Sequence, residues 1–233
     1  MKVFVISDIH GHYSIMTSAL NQKGFDPSNP AHHLLCLGDY FDRGHENTQV
    51  YSYLKTLHDQ KKASFLLGNH DLFLLEFLEG NFTKARFNAT HNGFDTTLEA
   101  FSGIPYDAQH HETIFNTIHQ RFPKLKAWLA SMPLFIETEH YIFTHGGIDQ
   151  TLTNWRTQAR ETFVWNYQST LPHHPEKTII VGHERTWMIR MKRAINNANK
   201  PYDIIYDDHV KYIDSFVEQS KQMNVLILDE NIL

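Results

Sequence analysis

The 233-residue chain has one cysteine, no apolar run long enough to cross a bilayer and no surplus of cationic side chains. A lone thiol excludes an intrachain disulfide, and Cys36 lies inside the apolar run Leu34-Leu35-Cys36-Leu37, where it reads as buried packing. The apolar stretch after Lys2 is short and is interrupted by Asp8 and His10, unlike a secretory signal or a membrane span. A cytoplasmic location without a membrane partner is therefore expected. With 21 Lys and Arg against 26 Asp and Glu, the formal charge is −5, and the clustered cations that a nucleic-acid binder needs are missing. Neither repeats nor low-complexity segments stand out. The length fits one domain, 1–233, with a sizeable core.

Glycine is also sparse, with 11 residues, yet it recurs beside a particular set of side chains. Asp8-Ile9-His10-Gly11 follows Lys2-Val3-Phe4-Val5-Ile6. Gly38-Asp39-Tyr40-Phe41-Asp42-Arg43-Gly44 follows Leu34-Leu35-Cys36-Leu37, and Gly68-Asn69-His70-Asp71 follows Ser64-Phe65-Leu66-Leu67. His145-Gly146-Gly147 follows Tyr141-Ile142-Phe143-Thr144, and Gly182-His183 follows Thr178-Ile179-Ile180-Val181. Each apolar run reads as a buried strand, so potential ligands collect at strand carboxyl ends, where open α/β sheets place their sites. Glycine supplies the φ freedom and close backbone approach that such bends require. A single Asp-x-His is usually a solvated loop. Five such strings in strand-to-loop context point to two metal ions.

The donors are oxygen and imidazole without thiolate, which suits Mn, Fe or Zn rather than copper(I) or an iron–sulfur cluster. If Asp8 and Asp39 are the anionic ligands and Asn69, His10, His145 and His183 are neutral, two divalent ions leave a surplus of about two positive charges. That surplus attracts a phosphate dianion and has no purpose in a purely structural site. Two ions about 3.5 to 4 Å apart can acidify a shared water and brace an in-line displacement at phosphorus, with Asp39 as the natural bridge.

These strings resemble, in order, the D-x-H-G, G-D-x-x-D-R-G, G-N-H-[ED], H-G-G and G-H pattern of the PPP-type calcineurin-like metallophosphoesterases. That group includes serine/threonine protein phosphatases and symmetrical diadenosine tetraphosphate hydrolases, and the likeness runs from Val3 to about Asp214. It implies a β-sandwich of two mixed sheets flanked by helices, with a dinuclear metal site at the strand ends. It also implies that Asp8 and His10 hold one ion, that Asp39 bridges, and that Asn69, His145 and His183 hold the other, with Mn the expected metal in vitro and Fe or Zn as alternatives. His70 is then the general acid, Asp42 its orienting partner and Arg43 a phosphate clamp. The resemblance further implies direct attack on phosphorus by metal-activated water, without a phosphoenzyme.

Three departures from the family pattern stand out. Trp165-Asn166-Tyr167 takes the place of W-N-R, which leaves Arg156, Arg160, Arg185 and Arg190 as candidates for the second phosphate-binding arginine. Glu184 follows His183 where an uncharged residue is usual. Ile213-Asp214-Ser215-Phe216 replaces I-D-T-G and predicts a different rim loop.

The leading expectation is a phosphomonoester hydrolase, a serine/threonine protein phosphatase acting on a phosphoprotein or small phosphoester. It rests on the intact Asp42-Arg43-Gly44 and on Asn92-Gly93-Phe94-Asp95-Thr96-Thr97, which resembles an N-G-G-x-x-T segment of bacterial protein phosphatases. The alternative is symmetrical diadenosine tetraphosphate hydrolysis, suggested by Asp71-Leu72 and Leu74-Leu75. A metal-stabilised binding protein is the third reading, and His70 argues against it. Helical spacing over Glu46 to Gln60 predicts a helix, and residues 81–132 read as a mostly helical insertion beside the site. The pairs His32-His33, His110-His111 and His173-His174 read as solvated, and Trp128, Trp155, Trp165 and Trp187 as core or rim packing.

Overall fold

The structure, a computed structural model, describes residues 1–149, 151–171, 177–195 and 199–230. Along the chain run β1 (Lys2–Ile6), α1 (Tyr13–Gln22), β2 (His32–Cys36), α2 (Asn47–Asp59), β3 (Ala63–Phe65) and α3 (Asn69–Leu78). Four helices follow, α4 (Ala85–Asn92), α5 (Phe94–Ser102), α6 (His111–Arg121) and α7 (Leu125–Ala130). The remainder is β4 (Phe135–Glu137), β5 (Tyr141–Thr144), α8 (Arg160–Trp165), β6 (Thr178–Val181), α9 (Thr186–Lys192), β7 (Ile205–Tyr206), β8 (Val210–Tyr212), α10 (Val217–Ser220) and β9 (Leu226–Asp229).

Two sheets form, in the orders β3-β2-β1-β9 and β4-β5-β6-β8-β7. Within the first, β1, β2 and β3 are parallel and β9 is antiparallel to β1. Within the second, β5, β6 and β8 are parallel between antiparallel edges. Val3, Val5, Leu35 and Leu37 pack with Phe143, Ile180 and Ile213 between the sheets, whereas Phe4, Ile6, Leu34 and Cys36 join the larger core with Met16, Val50 and Leu54 of the helices. Burial on both faces is why these strands read as unbroken apolar runs. The sandwich brings the carboxyl ends of the parallel strands in both sheets to one edge. Among the described residues no helix is long and apolar enough to cross a membrane.

One expectation needs correcting. His33 is not solvated: it lies in β2, is 2% exposed, and its Nε2 meets Ser64 Oγ at 2.9 Å. The polar look of Pro30-Ala31-His32-His33 hid the strand's start. His32 is half-buried and His110 exposed, and the pair His173-His174 lies outside the described residues.

Burial holds the His33 imidazolium down to about 4, with Lys62 adding repulsion. The unfolded chain therefore takes up this proton first as pH falls below about 6.5, and folding stability is lost between there and pH 4. From pH 7.5 to 5, urea unfolding should show the native chain losing about 2 kcal/mol more than His33→Gln. Equal losses in the two proteins would contradict the assignment.

Candidate metal centre

The site is built from loops leaving β1, β2, β3, β5 and β6. Asp8, His10, Asp39, Asn69 and His145 are each no more than 2% exposed, and the sandwich edge brings them together with His183. His10 Nδ1 bonds the Phe41 carbonyl at 2.9 Å and His145 Nδ1 the Leu37 carbonyl at 3.0 Å. Both rings are thereby held with Nε2 turned inward, as metal-binding imidazoles require. Asp39 Oδ2 lies 3.6 Å from His10 Nε2 and 3.4 Å from His145 Nε2, while its Oδ1 accepts the His70 N–H. Asn69 Oδ1 is 3.0 Å from His145 Nε2, and Asp8 Oδ2 accepts the His183 N–H at 3.1 Å.

Two groups of donors, each spanning under 4.8 Å, emerge: His10, Asp39 and His70, and Asp39, His145 and His183. Asp39 belongs to both. Asp8 joins the first at its edge, with Oδ1 3.9 Å from His10 Nε2.

The electrostatics fit divalent cations. Burial pushes the Asp8 carboxyl up to about 6. His145 is driven up to about 9: burial opposes its charge, but Asp39 and Asp8 outweigh it. His183 is held down to about 3 by burial and by His145, and its Nε2 is buried with no partner. A lone pair of this kind beside two carboxylates costs free energy unless a cation meets it.

The backbone carries strain here as well. Asp8 (φ 56°), His10 (φ 44°), Asp39 (φ 57°), Asp42 (φ 73°), Arg43 (φ 66°) and His183 (φ 56°) all occupy the left-handed region. Such residues cost on the order of 1–3 kcal/mol each and persist only where their surroundings fix them. Gly38, at φ 109°, lets two of these loops touch, since a Cβ there would stand 2.6 Å from Gly68 Cα.

His70 Nδ1 bonds Asp42 Oδ2 at 2.6 Å, and Thr97 Oγ1 donates to Asp42 Oδ1 at 2.5 Å while accepting the Asp42 N–H. The Gly93 carbonyl accepts the Arg43 N–H at 3.1 Å. The Asn92–Thr97 string thus braces the Asp42-Arg43 turn, and Thr97 is a site residue that motif reading missed. Arg43 reaches inward, with Nη2 2.9 Å from His70 Nε2 and Nη1 2.8 Å from His10 Nε2. Asp71, fully buried, accepts from Asp39 and Gly68 N–H through Oδ2 and from Tyr40 N–H through Oδ1.

The departures resolve geometrically. Glu184 turns away from the metals and bonds Ser169, with Lys192 3.3 Å distant. Arg156 is spent on Glu137, Arg160 lies by Glu161, and Arg190 holds the carbonyls of Pro201, Asp203 and Ile204. Arg185 alone of the four approaches Arg43, through Glu218. The Tyr167 ring lies over His183 at 5.2 Å and 20°, and Trp165 stands between Phe73 and His183 at 5.6 and 6.0 Å. Both rings are more than 40% exposed and form an aromatic rim.

The model of the calcineurin-like phosphoesterase family matches residues 1–213. A bis(5'-nucleosyl)-tetraphosphatase PrpE [asymmetrical] of Geobacillus sp. (strain WCH70) is 27% identical over 200 residues, 82% of this chain and 75% of the relative. A symmetrical bis(5'-nucleosyl)-tetraphosphatase of Aromatoleum aromaticum is 26% identical over 171 residues, 73% of this chain but only 52% of the longer relative. A crystal structure of a candidate diadenosine tetraphosphatase superposes with a TM-score of 0.59 at 16% identity, covering 99% of this chain and 95% of that one. It bears on the fold alone.

Replacing Asp71 by Ala leaves three buried N–H groups without acceptors. Urea denaturation of Asp71→Ala should show a loss of about 3–5 kcal/mol. A loss below about 1 kcal/mol would mean that the two loops hold their spacing without it.

Proposed function

The chain belongs to the calcineurin-like phosphoesterase family, and from that premise we propose that this metal-dependent phosphoesterase hydrolyses a phosphoanhydride bond of a bis(5'-nucleosyl) tetraphosphate. What carries the reading is the naming of its relatives as bis(5'-nucleosyl)-tetraphosphatases of both the symmetrical and asymmetrical kind. The aromatic rim of Trp165 and Tyr167 is consistent with a nucleoside close to the cleaved bond.

Asp8 and His10 would hold one divalent ion, Asn69, His145 and His183 the other, and Asp39 would be shared. When bound, the pair supplies an acidified water and braces the phosphoryl oxygens. The chain's own groups do the remainder. Arg43 offers a planar fork of N–H donors to the phosphate. His70, held by Asp42 and thereby by Thr97, presents Nε2 toward the reacting centre. As the water oxygen bonds phosphorus and the bridging P–O bond breaks, His70 Nε2 delivers a proton to the departing oxygen, and the water's proton passes to solvent. Asp42 holds the ring in the orientation that transfer needs.

A second reading, phosphomonoester hydrolysis with a phosphoserine or phosphothreonine protein as substrate, is favoured by the same Asp42–His70 contact. An anhydride leaves as a phosphate oxygen whose pKa is about 6, and it gains little from an acid. A serine alkoxide leaves poorly without one. The sequence placed this reading first, and the relatives now favour the nucleotide.

Purified Mn-loaded protein should be assayed in parallel on diadenosine tetraphosphate and on a phosphoserine/phosphothreonine peptide, with nucleotides separated by chromatography. Faster nucleotide turnover is expected. ADP alone would mark symmetrical cleavage, and ATP with AMP asymmetrical cleavage. His70→Asn should cut any peptide turnover by about 10²–10⁴-fold and nucleotide turnover by less. Faster peptide turnover would transfer the assignment to the second reading, and no turnover of either would overturn both substrate assignments.

A further inference from the structure

Two guanidinium groups converge at the mouth of the site. Glu218 Oε1 lies 2.9 Å from Arg43 Nη1 and 3.2 Å from Arg185 Nη2, so one carboxylate oxygen serves both. Two cations at this spacing repel, and the shared carboxylate offsets that repulsion while leaving the trio with net charge of about +1. All three side chains remain partly exposed, at 24%, 29% and 22% for Arg43, Arg185 and Glu218. Glu218 Oε2 is buried with no partner among the described residues, so within them the two guanidinium groups are what holds this carboxylate. Arg43 meanwhile touches His70 Nε2, which places the pair next to the reacting centre.

Arg185 is fixed from its other side by stacking. Its guanidinium carbon stands 3.8 Å from the centroid of the Phe216 ring, and Phe216 is itself stacked on Trp187 at 6.3 Å and 22°. Phe216 holds this place from a left-handed backbone, φ 54° and ψ 58°, where a residue with Cβ is disfavoured and glycine is at ease. Backbone strain is therefore maintained at a position where a glycine would relax it. The ring's contact with Arg185 is a reason to keep it.

We propose that Arg185 is a second phosphate-gripping residue, acting with Arg43, and that Phe216 and Glu218 are the residues that position it. The two departures Tyr167 and Phe216 then become one change: the grip missing at Tyr167 is supplied by Arg185, which Phe216 holds in place. The ligand it takes is a phosphoryl group with at least two free oxygens. This inference rests on the phosphoester chemistry of the site and not on which phosphoester is cleaved.

The test is inorganic phosphate binding to the intact Mn-loaded protein by calorimetry, with metal content and Tm measured on each variant. Arg185→Met should keep its metal and Tm while binding phosphate about tenfold more weakly, the scale of one charge-assisted contact. Phe216→Gly should raise Tm by relieving the left-handed strain, yet weaken phosphate severalfold, a combination that a merely structural ring would not give. Unchanged phosphate affinity in Arg185→Met would overturn the proposal. Unchanged affinity in Phe216→Gly would remove Phe216 from it. Failure of the unaltered, metal-loaded protein to bind phosphate at all would instead count against the phosphoester reading beneath it.

Discussion

The Asp71 carboxylate accepts backbone N–H bonds from Asp39, Tyr40 and Gly68, and through them it fixes the distance between the loops that end β2 and β3. Asp39 can face both imidazole groups only if that distance is kept, and Asn69 and His70 begin α3 from the same anchor. The arrangement concentrates negative charge where water is excluded. Asp8, Asp39, Asp71 and Asp214 are all buried; burial pushes Asp71 up to about 8 with Asp39 adding to it, and Asp214 is driven well above the usual carboxylate range by burial and Asp8. A protein that buries this many carboxylates within one sandwich edge has the demand for cations written into its interior.

Much of the frame was legible in the sequence because its parts are local. The strands that end at the site are short apolar runs, and each candidate ligand lies within a few residues of its strand, so Asp8, His10, Asp39, Asn69, His145 and His183 could be named as candidates from local strings and the family resemblance they carry. The contacts that organise those ligands are long-range and have no period. Thr97 reaches Asp42 across 55 positions, and Glu218 reaches Arg43 across 175. Asp71 was visible as a motif letter, but its three N–H partners depend on how two loops meet. His33 was misread for a related reason: a histidine that begins a strand is polar in composition and buried only by its neighbours. Substrate class was the least legible property: Tyr167 stands where the family pattern has an arginine, and no local string says what that exchange does.

Backbone strain and motif coincide at this edge. Left-handed φ at Asp8, His10, Asp39, Asp42, Arg43 and His183 marks side chains aimed by tertiary contacts against local preference. Ladders of β1, β2 and β6 and the Asp71 anchor supply the constraint that holds them so. The regular parts of the fold and the irregular loops are thus coupled: the first are stable so that the second can be held in conformations they would not choose.

The pairing of Val3 with Leu228 and of Lys2 with Asp229 joins segments from opposite ends of the numbering into one ladder. On a ribosome, β1 emerges early and its β9 partner only after more than 220 further residues, so the edge of β1 that β9 covers stays open throughout that interval. Closing so long a loop is slow in comparison with forming the helices between. The Asp8–His10 loop is carried on that same strand. Completion of the sheet that carries this loop therefore waits on a long-range pairing rather than on the local contacts that form first.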